Sequence, residues 1–433
     1  MTIAEMFEQL LNNLSINNKQ QISDRYAEIT CALNKAYRNT DSKTANSLQV
    51  GSYGRGTAIR GVSDLDMLYF MPASIWDKYK DGRQSSLLQD VKNAIKGRYS
   101  RTEIWGDGQV VVVSFGSQEI EVVPAFELTD GSFKYPNTNN GGSWPITKPR
   151  SEISAILEMD KLKNYNLRPL CKIARAWKNK HGVVMSGFLI DTLAYNFLKS
   201  TTDYDTKSYL YFDYMVRDFF RYLSELPDQD YFLAPGSNQR VIVKKKFQRK
   251  AKKGYELCLK AIEADGKVGV NAKWKKVFGR PFPAATSTAP QATLSEAIRT
   301  WDNTEEFIED KYSIDIRYNL EIDCEVLQNG FREHLLSYML SKHIPLLARK
   351  KLLFQVTKIN VPPPYHIEWK VLNRGPMAER KNQIRGQIIK DDGSFKKEEH
   401  TLFQGEHVVE CYAIRNGVVV AKDRIDVPIT TGS

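Results

Sequence analysis

GSYGRGTAIRGVSDLDMLYF, residues 51–70, is the stretch whose reading decides the fold. Its second half sets Asp64 and Asp66 on either side of Leu65 and runs on through Met67, Leu68, Tyr69 and Phe70. On a β-strand, residues i and i+2 project from one face, about 6.5–7 Å apart along the chain. Two carboxylates so placed repel each other unless a cation lies between them. An all-oxygen donor set selects a hard ion, magnesium or manganese. Upstream, a strand pattern over 47–50 ends on Gly51-Ser52. Glycine lets a phosphate approach the backbone closely, and Ser52 adds a hydroxyl donor. Arg55 adds positive charge. A phosphate-holding turn followed by an Asp-x-Asp strand is the pairing that a nucleotidyl-transferring site needs.

Two-ion phosphoryl transfer calls for a third acid from a neighbouring strand. EIEVVPAFE, residues 119–127, supplies it: alternation puts Glu119 and Glu121 on one face and Ile120 and Val122 on the other. Glu121 is the candidate base and metal ligand, with Glu119 as the fallback. Each piece alone is weak, since a Gly-Ser turn is most often only a turn and an exposed acid pair often only a strand end. The order and spacing of all three carry the reading.

Outward from this segment, the first 48 residues show apolar positions at helical spacing, such as Ile3, Met6, Leu10 and Leu11. Residues 47–126 alternate short strands with one helix, SSLLQDVKNAIKGRY, which predicts an α/β unit. YPNTNNGGSWPITKPR is a loop. Helical patterns fill about 151–280, among them KLKNYNLRPLCKIARAWKNKHG and SGFLIDTLAYNFLKS. RPFPAATSTAPQATLS is an exposed connector, followed by a helix SEAIRTWDNTEEFIEDKY. The last 120 or so residues show strand alternation. The fold class expected is thus an α/β core, a helical completion domain and a β-rich C-terminal domain, divided at 1–150, 151–300 and 310–433.

Lys and Arg total 62 against 51 Asp and Glu, a net charge of +11 over 433 residues. Such a surface attracts polyanions, nucleic acid and nucleoside triphosphates alike. The densest run, Lys244–Lys253, is either a solvated helix face or a polyphosphate contact. No apolar stretch suits membrane insertion, and the start MTIAEMFEQLLNNLS reads as an amphipathic helix rather than a secretory signal. Five widely spaced cysteines, without a CxxC pair, fit the cytoplasm better than a disulfide framework.

GSYGRGTAIRGVSDLDMLYF followed by EVVPAFE resembles the polymerase-β-like nucleotidyltransferases. Together with GGSWPITKP and KIARAWK it resembles, more narrowly, the CD-NTases, bacterial relatives of cyclic GMP-AMP synthase and oligoadenylate synthase (SMODS type). The likeness covers residues 1 to about 300. The family's third acid is usually Asp where this chain has Glu121, one methylene longer. The resemblance implies a polymerase-β-like core using two magnesium or manganese ions. It also implies a cation two residues before the spine-helix Trp, here Arg175 before Trp177, and a downstream phosphate-approaching serine, here Ser186. Read from the residues alone, Arg175 is equally a surface cation and Ser186 a helix N-cap.

From 312 onward the chain resembles the AGS-C domain, a proposed sensor, with its polar signature including Trp369, Lys370, Asn373, Arg374, Arg385, His407 and Glu410. Trp369, Arg374 and Arg385 would stack on and pair with a nucleotide or nucleic acid; alternatively they are a sandwich core and its loop braces. A metal role for His407 with Glu410 lacks a third ligand.

The implied function is a metal-dependent, template-independent nucleotidyltransferase of the bacterial cytoplasm. It would make a cyclic or linear oligonucleotide signal from nucleoside triphosphates in anti-phage defence and act through a downstream effector protein. The alternatives are transfer to a nucleic-acid or protein acceptor, and a catalytically weak sensor.

Overall fold

The computed structural model describes residues 1–61, 64–116, 118–285, 306, 308–329, 331–373 and 376–430. Packing divides the chain into two units, Met1–Lys180 with Met185–Ala284, and His181–Val184 with Ala285–Ser433.

The first unit opens with α1 (Ile3–Leu14), started by a capping box in which the Thr2 hydroxyl accepts from the Glu5 backbone and the Glu5 carboxylate accepts from that of Thr2. Its apolar stripe (Ile3, Met6, Phe7, Leu10, Leu11, Leu14) is buried. After α2 (Lys19–Arg38) come β1 (Ser47–Gln49), the single turn α3 (Gly51–Gly54) and β2 (Asp64–Phe70). Next are α4 (Trp76–Tyr79), α5 (Gln84–Arg98), β3 (Glu103–Asp107), β4 (Val110–Ser114) and β5 (Glu119–Glu127). The small strands β6 (Phe133–Lys134) and β7 (Ile146–Thr147) follow. The sheet runs β1-β2-β5-β4-β3, with β2 and β5 parallel.

Strand alternation decides what each face of this sheet carries. Leu65, Met67, Tyr69, Ile120 and Val122 point into a core shared with Ile22, Ile29 and Leu33 of α2 and Leu87, Val91 and Ile95 of α5. The side chains between them, including all four acids of β2 and β5, take the opposite face.

The helical part comprises α6 (Pro149–Leu162), α7 (Leu167–His181), α8 (Gly187–Ser200) and α9 (Phe212–Glu225), then a hairpin of β8 (Tyr231–Leu233) and β9 (Arg240–Ile242), then α10 (Gln248–Ile262) and α11 (Val270–Phe278). KLKNYNLRPLCKIARAWKNKHG, one helical pattern in sequence, is broken where Asn164 and Tyr165 adopt positive φ. That reversal lets α7 leave in a new direction. Phe7 of α1 meets Phe212, Trp274, Phe278 and Phe282 edge-on, so the N-terminal helix packs against α9 and α11. The connector from Thr286 and most of the helix expected after it lie outside the described residues.

The second unit holds a short helix (Ile308–Lys311) and the strands β10 (Ser313–Ile314), β11 (Leu320–Gln328), β12 (Phe331–Leu335), β13 (Leu346–Leu347), β14 (Lys351–Ile359), β15 (His366–Leu372), β16 (Arg385–Lys390), β17 (Lys396–His400), β18 (Gly405–Arg415) and β19 (Val418–Thr430). They form a sheet ordered β10-β19-β18-β15-β16, with β13 on β19, and a second ordered β12-β11-β14-β17. Both contribute to one apolar core, from Cys324 and Phe354 on one side to Trp369, Cys411 and Val427 on the other. All five cysteines are buried free thiols, and no helix among the described residues is long and apolar enough to cross a membrane.

Candidate active site

β2 and β5 run side by side in a register that pairs Asp64 with Glu119 and Asp66 with Glu121. Paired residues of parallel strands project to the same side, so the four carboxylates form a two-by-two patch on the face away from the α2–α5 core. Asp64 is buried, while Asp66, Glu119 and Glu121 are half-buried. The chain order DLD and EIE thus becomes one acidic surface, with Glu121 beside Asp66 and Glu119 beside Asp64.

The turn before β2 is fitted to this patch. Val50 donates its backbone N–H to the Asp66 carbonyl at 3.0 Å, which seats α3 beside the strand. Gly51 has φ +60°, and a Cβ there would overlap the Asp66 carboxylate. Gly51 therefore meets two demands that only glycine satisfies, a left-handed backbone and the space taken by Asp66. Burial and the nearby Asp66 charge push the Tyr53 hydroxyl up to about 12.

The donor set suits a divalent cation in kind, being all oxygen and concentrated on one face. Among the described residues no three acid, histidine or cysteine side chains already stand in a metal-holding cluster. Strand placement and the space left by Gly51 are what fit the patch to cations.

The two cations expected at the phosphates share a buried partner. Arg55 and Arg175 are both buried and both turn to Asp191 on α8. Arg55 Nε donates to Asp191 Oδ2 at 2.9 Å, Arg175 Nη1 to Oδ1 at 2.6 Å and Nη2 to Oδ2 at 3.0 Å. The Thr57 hydroxyl donates to Oδ2 at 2.9 Å. Arg175 also donates to the Cys171 and Gly187 carbonyls, and Arg55 lies over the Phe188 ring. The two guanidinium groups outweigh burial and hold the Asp191 carboxyl below the usual range. Both arginines are thus structural cations in this arrangement. They tie the chain just after the Gly-Ser turn to α7 and α8. Ser186 is the N-cap of α8, its hydroxyl accepting from the Leu189 N–H at 3.1 Å.

Asp191 and Thr57 were missed in sequence. The available signal was a lone Asp inside the apolar run FLIDTLAY, since a buried carboxylate needs a charged partner.

In the second unit, Trp369 is 2% exposed and belongs to the core, with its Nε1 donating to Asp391 at 2.9 Å. It therefore presents no stacking face. Arg385 forms a two-pronged pair with Glu399, at 2.5 and 2.8 Å. Arg374 lies outside the described residues. The basic run keeps Lys244, Lys245, Lys246, Arg249, Lys250, Lys252 and Lys253 exposed around buried Phe247 and Ala251, and Lys246 pairs with Asp228.

Residues 1–159 match the Second Messenger Oligonucleotide or Dinucleotide Synthetase (SMODS) domain, and residues 302–430 the Adenylyl/Guanylyl and SMODS C-terminal sensor domain (AGS_C). The chain is a CD-NTase. This CD-NTase is 21% identical over 307 residues to the cyclic AMP-AMP-AMP synthase of Acinetobacter sp., covering 66% of this chain and 87% of that one. Its fold is similar to that of E. coli MS115-1 CdnC in complex with a HORMA protein, at 14% identity and TM-score 0.51, over 65% of this chain and 98% of the other. CdnC with ATP aligns at 16% identity and TM-score 0.49, over the same shares. The CD-NTase described here is a nucleotidyltransferase of the kind that makes an oligonucleotide or dinucleotide second messenger.

Proposed function

We propose that nucleotidyl transfer takes place on the acidic face of β2 and β5, with the triphosphate laid against Gly51 and Ser52. The observation that carries this reading is the register of Asp64 and Asp66 with Glu119 and Glu121, closed by a glycine that leaves its space to the Asp66 carboxylate. Asp64 and Asp66 would hold the divalent cations, magnesium or manganese and two in number, with Glu121 joining from the adjoining strand. When bound, such ions stabilise charge on the entering and leaving oxygens of an in-line displacement at phosphorus.

The protein's own groups do the rest. Gly51 admits the phosphates to the backbone, and the Ser52 hydroxyl donates to a phosphate oxygen. Glu121 accepts the proton of the attacking hydroxyl or orients it. Asp191 keeps Arg55 and Arg175 fixed behind the turn, so the turn keeps its shape as charge arrives. The acceptor is a second nucleotide, and the product, cyclic or linear, acts on an effector protein in bacterial anti-phage defence. Exposed lysines between 244 and 253 favour a second reading, transfer to a nucleic-acid acceptor.

One experiment separates these readings. Purified protein is incubated with each α-labelled nucleoside triphosphate and magnesium or manganese, with and without RNA, beside the Asp64→Ala, Asp66→Ala double variant. A small phosphatase-resistant product is expected, falling about a thousandfold in the variant, as losing several kcal/mol of charge stabilisation requires. Label on the added RNA supports the second reading. Equal turnover by the double variant would exclude this face as the site.

A further inference from the structure

Residues of both sheets of the C-terminal unit, those of the edge strands β16 and β17 among them, line a cavity of about 430 Å³. Its floor is apolar: Leu352 and Phe354 come from β14, and Val371, Val409 and Val427 from the facing sheet. This volume lies within the roughly 300–1,000 Å³ typical of small-molecule sites, which combine an apolar lining with a few placed polar groups.

The rim is polar, and its charge is closed on itself. Arg385 reaches from β16 to Glu399 on β17, so the full charges lining the mouth are satisfied by each other. A bulge makes the reach possible. Arg385 has φ +60° and Gly386 φ +92°, where the pairing of β16 with β15 shifts register. Bulges commonly re-aim side chains beside binding sites, and a left-handed non-glycine residue is held only where its surroundings enforce it.

The other polar groups of the lining, among them Asn373, Gln387, His400 and His407, are hydrogen-bonding side chains without a permanent charge. Asn373 donates its Nδ2 to the Gln383 carbonyl at 2.9 Å, leaving Oδ1 as a further acceptor. Gln387 and His400 also line the cavity, are exposed and bond no other described side chain. The slot therefore offers apolar walls on two sides, amides at its lip and no uncompensated charge for a phosphate or carboxylate. Side-chain amides match the donor and acceptor edges of heterocyclic bases.

We propose that this inter-sheet cavity binds a base-bearing small molecule, the nucleobase inserted between the sheets and any sugar or phosphate left at the mouth. The cavity lies within the second unit and does not depend on the acidic face of the first. Free nucleosides and the enzyme's own oligonucleotide product share this chemistry.

The test is calorimetric titration of the full chain, with Asp64→Ala and Asp66→Ala present so that nothing turns over. Titrants are the four common nucleosides and the purified product. At least one is expected to saturate. Leu352→Trp, which fills the floor, should abolish that binding, and Gln387→Ala, at the exposed rim, should weaken it by up to about tenfold. Similar affinity for nucleoside and product assigns the site to the free base, and markedly tighter product binding with the same two dependences assigns it to the oligonucleotide. Either supports the proposal. Failure of every titrant to saturate at millimolar concentration overturns it, as does binding indifferent to both substitutions.

Discussion

The sheets of the two units dispose of their polar groups in opposite ways. In the first unit, one sheet face is buried under α2 and α5 and the other gathers Asp64, Asp66, Glu119 and Glu121. In the second, two sheets bury their apolar faces against each other, and Arg385 and Glu399 pair across the edge strands β16 and β17. A row of like charges on one face repels itself and attracts cations, which suits phosphoryl chemistry. An ion pair closed on itself asks for nothing and leaves the apolar floor behind it to decide what binds. A third arrangement, the Asp191 cluster, is charged but fully internal, so its role is rigidity.

The largest expected effect outside the acid face tests that last distinction. Asp191→Ala leaves two guanidinium groups in the interior without their shared carboxylate and should cost about 3–5 kcal/mol of stability, measured by urea unfolding. The pH dependence has a definite sign. The Asp191 carboxyl is held below its ordinary range, so its contribution is fully present above the unfolded value of about 3.9 and is lost as the pH falls through the folded value. Asp191→Asn lacks this component, so its deficit against the native protein should narrow in acid. A deficit constant with pH would break the assignment of Asp191 as the charged hub.

Gly51→Ala sharpens the contrast on the catalytic side. The left-handed backbone should cost about 1–3 kcal/mol, and displacement of Asp66 should lower turnover about a hundredfold, seen as a fall in kcat in the labelled-nucleotide assay. Retention of full turnover would mean that the Asp66 carboxylate can leave this position without consequence.

The smallest effect belongs to the sandwich edge. Arg385→Gln removes a pair whose cation is more than a third exposed, so unfolding should shift by no more than about 1 kcal/mol. A loss of several kcal/mol would show that the pair clamps the two sheets together rather than closing the charge at the rim.

Much of this was legible in the chain. The strands at 64–70 and 119–127 and the helix at 84–98 follow from apolar alternation and periodicity, which record which side of each element is buried. The likeness to the CD-NTases rests on the same residues. Arg175 and Trp369 show where local reading stops. Their neighbours in sequence permit either an exposed or an internal role, and their partners, Asp191 and Asp391, lie 16 and 22 residues away.

The sequence by itself determined most of the elements and the spacing of the acids, because period-two and period-3.6 patterns are properties of adjacent residues, while the break at Asn164 and Tyr165 lay outside that reading. Only the tertiary structure decided that β2 and β5 lie parallel in a register that pairs Asp66 with Glu121, and that Arg55 and Arg175 serve a buried carboxylate. The physical reason is that strand register and ion pairing are settled by burial of groups distant in the chain, where desolvation leaves each charge dependent on the partner that packing provides.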